Sequence, residues 1–288
     1  MGGQSVLPIH KIIWHEWRAR HAAPGRVPEP SEAMDDPQQI RAYVQAYEWG
    51  GPTSALQLYH LRRLATLLRP GDTVLDLACG PGPLLLELAP LYPGCRFIGA
   101  DLSPRMLQAL RAACAERGIG NIETLCEDIR ELPSLRGQRV DLVISTSALH
   151  HLPDEASLRQ ALRTAAGLLR DDGGVYLFDF GLLRSAAARA LMVAHIDGVA
   201  PPITVHDYAL SLRAAFPVAV AREAVRAAFG ERVRFTRSAF VDFFFFVGSA
   251  PRARAAAGVA QSLRRIGQRL PLKYRVELQM LQRLQVGA

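Results

Sequence analysis

The sequence predicts a doubly wound α/β domain, and three observations carry that prediction. Short, wholly apolar runs alternate with amphipathic stretches from residue 73 to residue 180. One of them, in VLDLACGPGPLLLELA (Val74–Ala89), ends in an acid and a Gly-rich turn before an apolar helix begins. Acidic residues then close three successive strands, at Asp76, Asp101 and Asp128. Apolar strands joined by helices suit a mostly parallel sheet covered on both faces. In such sheets ligands bind beyond the carboxyl ends of the strands, where strand order reverses.

The elements follow in order. Ile9, Ile12, Ile13 and Trp17 share a helical spacing and predict a short amphipathic helix. His10, His15 and His21 lie along it, but no cysteine or carboxylate stands at a ligand spacing from them, so no metal site is expected. Pro24 to Pro37 holds four prolines and reads as extended chain. A helix then starts at Asp36, with Ile40, Tyr43, Val44 and Tyr47 on one face, and ends at Gly50-Gly51-Pro52. Thr53 or Ser54 caps the next, which runs to about Leu68. Strands are expected at Thr73–Leu77, Arg96–Ala100, Ile122–Cys126, Val140–Ser145 and Val175–Phe180, with helices at Leu84–Leu91, Arg105–Arg117 and Leu158–Leu169 between them. Residues 181–230 are Ala-rich and helical, broken at Pro201-Pro202 and Pro217. Two further strands, Arg232–Arg237 and Asp242–Val247, complete the sheet, the last expected to be antiparallel and buried on both faces. The division expected is an N-terminal extension with lid helices (1–52), a main domain (53–250, with an insertion at 181–230) and a helical tail (251–288).

The 288 residues are 49% hydrophobic and 21% charged, an ordinary globular balance. No apolar run approaches the ~18 residues of a membrane span. The N-terminus lacks a signal-peptide pattern, and Val6 breaks the myristoylation pattern that Met1-Gly2 would begin. A cytoplasmic protein is expected. Cys79, Cys95, Cys114 and Cys126 show neither metal nor redox spacing and read as small buried thiols. The net charge of +7 belongs to the tail, where eight basic residues face Glu277 alone, while residues 1–250 balance at 26 basic and 26 acidic. Any polyanion contact is thereby confined to the last forty residues or so.

The segments DLACGPG, ADLSPRML, CEDIREL, VDLVISTSALHHLPD and LLRDDGGVYLFDF, in this order, resemble the class I S-adenosylmethionine-dependent methyltransferases. The likeness is greatest to the large bacterial group that acts mostly on small molecules. It covers Leu56 to Phe180, and the last two strands extend it to Val247. The resemblance implies a Rossmann-like sheet and S-adenosylmethionine as cofactor, with S-adenosylhomocysteine as product. It places the backbone of Ala78 to Gly82, including Gly80, against the methionine and ribose portion. Asp76 would orient that turn and the amino group. Asp101 would take the ribose hydroxyls, with Leu102 against the adenine, and Asp128 the adenine amino group, with Ile129 on the other face. Ser145 and Thr146 would lie near the methionine end. Ala78 stands where Gly is commoner, a small departure because Ala tolerates most turn geometries except positive φ. A dinucleotide reading is disfavoured because Leu85 stands where the third Gly of that fingerprint would fall.

Methyl transfer from a sulfonium needs alignment and desolvation of the acceptor, and a base only when the acceptor is protonated. His150 and His151 follow the fourth strand at the reacting end, as base or acceptor-orienting group, or as hydrogen-bonded loop residues. His195, His206 and Tyr208 in the insertion, and Tyr43 and Tyr47 on the N-terminal helix, are candidates for the acceptor site. No Asn/Asp-Pro-Pro-Tyr/Phe segment follows the fourth strand; Ser145-Thr146-Ser147-Ala148 stands there instead, which disfavours an adenine or glutamine amide acceptor. Val259, Leu263, Ile266 and Leu270 line one face of a tail helix carrying Arg264, Arg265 and Arg269. That face either docks on the core or meets anionic lipid, RNA or a partner. The expected function is methyl transfer to a small-molecule acceptor in specialised metabolism. An RNA methyltransferase using the tail, and a non-catalytic cofactor-binding regulator, are the alternatives.

Overall fold

The structure, a computed structural model, describes residues 7–22, 25–198, 200–283 and 285–287. The expectations for Met1, Gly2 and Val6 lie outside the described residues, as does Pro24. Helices α1 (Ile9–Arg18), α2 (Pro37–Ala46) and α3 (Ser54–Leu64) precede the sheet. There follow β1 (Thr73–Leu77), α4 (Pro83–Leu88), β2 (Arg96–Asp101), α5 (Pro104–Arg117), β3 (Ile122–Cys126), β4 (Val140–Thr146), α6 (Glu155–Leu168) and β5 (Leu169–Phe180). Helices α7 (Ala186–Ile196), α8 (Pro202–Ala214) and α9 (Val218–Phe229) lead to β6 (Val233–Ser238) and β7 (Phe244–Ser249). The tail forms α10 (Ala257–Arg269), α11 (Leu272–Arg283) and β8 (Gln285–Gly287).

The eight strands lie in the order β3-β2-β1-β4-β5-β7-β6-β8. Neighbours from β3 to β5 pair in parallel, whereas β7 runs antiparallel to both β5 and β6, and β8 antiparallel to β6. The chain steps outward from β1 to β3, then crosses back to lay β4 against the other side of β1. That reversal opens a crevice beyond the carboxyl ends of β1 and β4.

The two-residue period of a strand divides the core. Val74, Leu142, Ile144, Tyr176 and Phe178 face α3, α4 and the tail. Leu75, Leu77, Val143, Val175 and Leu177 face α6 and α9. A third, smaller core gathers Ile12 of α1, Ala188 and Met192 of α7 and Leu212 of α8, off the sheet. Of the residues 181–230, therefore, α7 and α8 stand apart, while α9 joins the sheet-covering layer through Val225 and Phe229. The tail docks: Val259, Leu263, Leu270, Tyr274 and Leu278 are buried with Leu58 and Leu61. Arg264, Arg265 and Arg269 are exposed. Arg252, 6% exposed at its side chain, anchors the junction by an ion pair to Asp72 at 2.9 Å.

Several expectations need correction. Trp17 is 60% exposed, because α1 buries only Ile12. Strand β5 begins at Leu169 and not Val175, since the chain pairs with Val140 before a register shift carries it past Gly173. Thr53 caps no helix with its side chain; its hydroxyl donates to the Ala46 carbonyl at 2.6 Å. Cys126 is exposed and Cys114 half-buried, because the β3 edge and the outer side of α5 are not covered.

Candidate functional site

The crevice is a cleft open to solvent. Its floor is the turn after β1. Ala78 adopts φ 52°, so the residue expected to avoid positive φ does not. A left-handed Ala costs about 1–2 kcal/mol, the kind of strain that persists where surrounding structure fixes a functional turn. Gly80 (φ 56°) lines the cleft, and a Cβ built on it would meet no atom within 4 Å. Gly82 (φ 66°) serves packing instead: a Cβ there would fall 2.6 Å from Leu110 Cδ1.

Asp101 closes β2 at the centre of the floor. One carboxylate oxygen accepts from the Gly80 N–H at 2.7 Å and the other from the Ser103 N–H at 2.8 Å. This uses two of about four lone-pair positions and leaves the others for a ligand. Burial raises its pKa despite those bonds. Leu102, 41% exposed, and Met106 and Ile129 form apolar walls. Asp128 lines the far end, its carboxylate held by Arg130 Nε at 2.8 and 2.9 Å.

Asp76 lies behind the turn, 4% exposed. Among the described residues no hydrogen bond reaches its carboxyl, and its pKa is raised well above the ordinary value by burial and then by Asp101. A buried carboxyl of that kind is satisfied by an arriving cation, since a positive charge restores the ionised form. Burial likewise raises Tyr43 well above its usual value and raises Tyr47. The two rings stack at 4.9 Å on the last turn of α2, their hydroxyls 3.3 Å apart, with Tyr43 on the cleft.

Beyond β4 the loop turns through Ser147 (φ 53°) into a short turn of helix at Leu149–His151. His150 is buried. Its Nδ1 lies 2.6 Å from Oδ1 of Asp179, on β5, while its Nε2 is buried with no hydrogen-bond partner among the described residues. Asp179 also accepts from the backbone N–H groups of Ala148, His150 and Phe180. His151 lines the cleft, with Nδ1 3.1 Å from Oε2 of Glu29. Burial opposes its charge, but Glu29 more than offsets this and raises its pKa. Burial equally opposes the charge of Glu29, which His151, His150 and Ser211 hold below the usual carboxylate range.

Three sequence candidates fall elsewhere. Ser145 is fully buried and donates to the Leu77 carbonyl at 3.0 Å, tying β4 to β1; Ser147 and Ala148 line the cleft in its place. His206 is exposed, and His195 does not line the cleft. Tyr208 reaches the site only indirectly, its ring 5.8 Å from Phe180, which in turn stands 5.4 Å from His150. Sequence reasoning missed the segment from Arg26 to Asp35. Arg26 donates to the carbonyls of His150, Leu152, Pro153 and Ala214 and stacks on Phe216. Glu32 lines the cleft and pairs with Arg130 at 3.1 Å, and Asp35 accepts from the Ser103 hydroxyl at 2.6 Å. The described ligand-type side chains that cluster are Glu29, His150 and His151, not the N-terminal histidines.

S-adenosylmethionine fits these residues. A glycine backbone faces open space, a carboxylate offers free lone pairs, apolar walls suit an adenine, and an unpartnered buried acid suits an ammonium group.

Residues 74–173 match the family described as Methyltransferase domain. Among curated relatives, an aklanonic acid methyltransferase, DauC, of Streptomyces sp. (strain C5) is 34% identical over 128 residues, 43% of this chain and 56% of that protein. A nocamycin O-methyltransferase of Saccharothrix syringae is 33% identical over 147 residues, 49% of this chain and 51% of its own length. The chain thus spans about half the length of these relatives. Among solved structures, the plantazolicin methyltransferase BamL, in complex with S-adenosylhomocysteine (SAH) and a triazolic desmethylPZN analogue, superposes with a TM-score of 0.58. It covers 92% of this chain and 94% of its own at 14% identity, a likeness of fold. With the strand order, the Gly80 turn and the three strand-end acids in place, residues 74–173 carry the match to the methyltransferase domain, and the chain is similar to the class I S-adenosylmethionine-dependent methyltransferases.

Proposed function

We propose that the protein transfers a methyl group from S-adenosylmethionine to a small-molecule acceptor, in specialised metabolism. The observation that carries this is the cleft at the β1/β4 crossover, where the Asp101 carboxylate is steadied by two backbone N–H groups yet retains free lone pairs. S-adenosylmethionine supplies a methyl already activated by positive sulfur. What remains for the protein is binding, alignment and exclusion of water. Asp101 takes the ribose hydroxyls, Leu102 and Ile129 flank the adenine, and Asp128 takes its amino group. Asp76 takes the ammonium group, and the backbone at Ala78 and Gly80 packs against the ligand's flexible portion. Tyr43 and Tyr47 close the cleft from α2, and Gln39 of α2 ties this lid to α8 by donating to Asp207 at 2.8 Å. His151, on the cleft wall, orients the acceptor, with the ring of His150 buried beside it. The names of two relatives, an aklanonic acid methyltransferase and a nocamycin O-methyltransferase, support a small-molecule acceptor. The RNA alternative has less support, because the apolar face of the tail is committed to α3.

Calorimetric titration with S-adenosylmethionine, SAH and, as control, NADH tests the assignment. Micromolar binding of both sulfur compounds is expected. Asp101→Ala, checked for folding by its thermal midpoint, should weaken it about 100-fold, the equivalent of losing one or two hydrogen bonds to a charged group. No binding, or tighter binding of NADH, overturns the proposal. Binding without SAH release across a panel of phenols and hydroxy acids leaves the non-catalytic regulator as the better reading.

A further inference from the structure

We infer that Glu29, His150 and His151 form a site for a divalent transition-type cation at the acceptor end of the cleft. One ligand atom from each lies within 4.8 Å of the others. His151 Nδ1 stands 3.1 Å from one Glu29 oxygen, and His150 Nε2 stands 3.7 Å from the other. Ligand atoms about 2.1 Å from a common ion are about 3–3.5 Å apart, so small side-chain shifts admit one.

The decisive observation is at His150. Its Nδ1–H is directed at the Asp179 carboxylate, which leaves the Nε2 lone pair aimed at Glu29. That nitrogen is buried, and among the described residues no hydrogen-bond partner reaches it. A ligating histidine characteristically gives its second N–H to a carboxylate in this way, which fixes tautomer and ring orientation. An unpartnered buried nitrogen is costly unless something occupies its lone pair. Glu29 is itself braced, accepting from the Ser211 hydroxyl of α8 at 2.9 Å.

The donor set decides the ion. Two imidazoles and one carboxylate suit zinc, cobalt, nickel, iron(II) or manganese, whereas magnesium and calcium want oxygen alone. Glu29 and Asp179 carry two negative charges, Arg26 beside them one positive, so the surroundings favour a cation. His151 lies on the cleft wall, which leaves coordination positions facing the acceptor. On the methyl-transfer reading, an ion there binds the acceptor oxygen and favours its anionic form. The acceptors selected are those with an ionisable oxygen, above all with two adjacent ones.

The test uses the full chain, stripped with a chelator. Zinc is titrated by calorimetry and cobalt by its ligand-field absorption, in wild type, Glu29→Gln and His151→Gln. One ion per chain is expected, with each variant at least tenfold weaker. Hyperfine-shifted imidazole signals from two histidines are expected in the cobalt-loaded wild type. Failure of the wild type to bind one ion overturns the inference, as does equal binding by both variants, which would point to exposed histidines such as His10. Should either variant misfold, the wild-type cobalt spectrum decides alone. SAH binding, measured in parallel, keeps the two proposals separate: it tests the cofactor cleft, and its loss or retention says nothing for or against the ion.

Discussion

Replacing Asp179 with Asn isolates the group that sets the geometry of the His150–His151 loop. Its Oδ1 faces His150 Nδ1 and the Phe180 N–H, and its Oδ2 faces the N–H groups of Ala148 and His150. An amide must turn its NH₂ toward one of these pairs. Placed at the Oδ2 position it opposes two backbone donors, and neither can be relieved. Placed at Oδ1 it opposes one backbone donor and one imidazole nitrogen. The imidazole can adapt by moving its proton to Nε2, so this is the cheaper arrangement. It forfeits one hydrogen bond to a charged group, about 1.5–3 kcal/mol, and weakens the remainder, for a total of about 2–4 kcal/mol. At about 2 °C per kcal/mol for a chain of this size, the thermal midpoint falls about 4–8 °C. The readouts are thermal unfolding by circular dichroism and the ¹⁵N shifts of His150, which report its tautomer. The variant should show Nε2 protonated and should bind cobalt more weakly than wild type. An unchanged midpoint together with a retained Nδ1–H signal would refute the reasoning.

Two further outcomes follow from the core and the tail. Burial lowers His60 from 6.5 to about 3, beside the Tyr176 hydroxyl at 2.6 Å. Its folded pKa lies below the unfolded one, so its contribution is full above pH 6.5 and lost as pH falls toward 3, about 2.5 kcal/mol between pH 7 and 4.5. Urea unfolding at both pH values should show a narrower gap in His60→Gln than in wild type, and equal gaps would refute the attribution. Deleting residues 251–288 strips the cover from Leu58 and Leu61 and leaves Asp72 without Arg252, so the truncated chain should not unfold cooperatively. A soluble truncation with a sharp transition would show the tail to be dispensable.

The sheet was legible because its signals are local. Apolar runs such as Thr73–Leu77 and Ile122–Cys126 are bounded by Gly, Pro and acidic residues, and both strands lie where those signals put them. One side of the cleft was legible for the same reason, since Ala78, Gly80, Asp101, Leu102, Asp128 and Ile129 fall at or just beyond strand ends and all line it. Ser145 lies too far back along β4: its hydroxyl donates to the Leu77 carbonyl, and Ser147, two residues on, lines the cleft. Strand β8 carried no signal, because three residues pairing at an edge have no periodicity to read. His195 and His206 were named for their chemistry alone, and neither side chain lines the cleft.

The His150–His151 end of the cleft was illegible for a different reason, and one signal for it was present. Arg26, Glu29, Glu32 and Asp35 recur every third residue through a stretch punctuated by prolines. A proline-rich extended chain of polyproline II type has three residues per turn, which puts such positions on one side. All four side chains turn toward the body of the protein: Arg26 to the His150 loop, Glu29 to the two histidines, Glu32 to Arg130 and Asp35 to Ser103. Proline stiffness lowers the entropy lost when the strap is laid down, and four charged contacts fix its register. The strap thus builds one wall of the cleft with Glu32 and Met34 and delivers the carboxylate that His151 needs. Read with a period of three in place of 3.6 or two, a segment that looks like a linker becomes part of the site. The His150–His151 pair then gains its partner from a segment more than a hundred residues away in sequence.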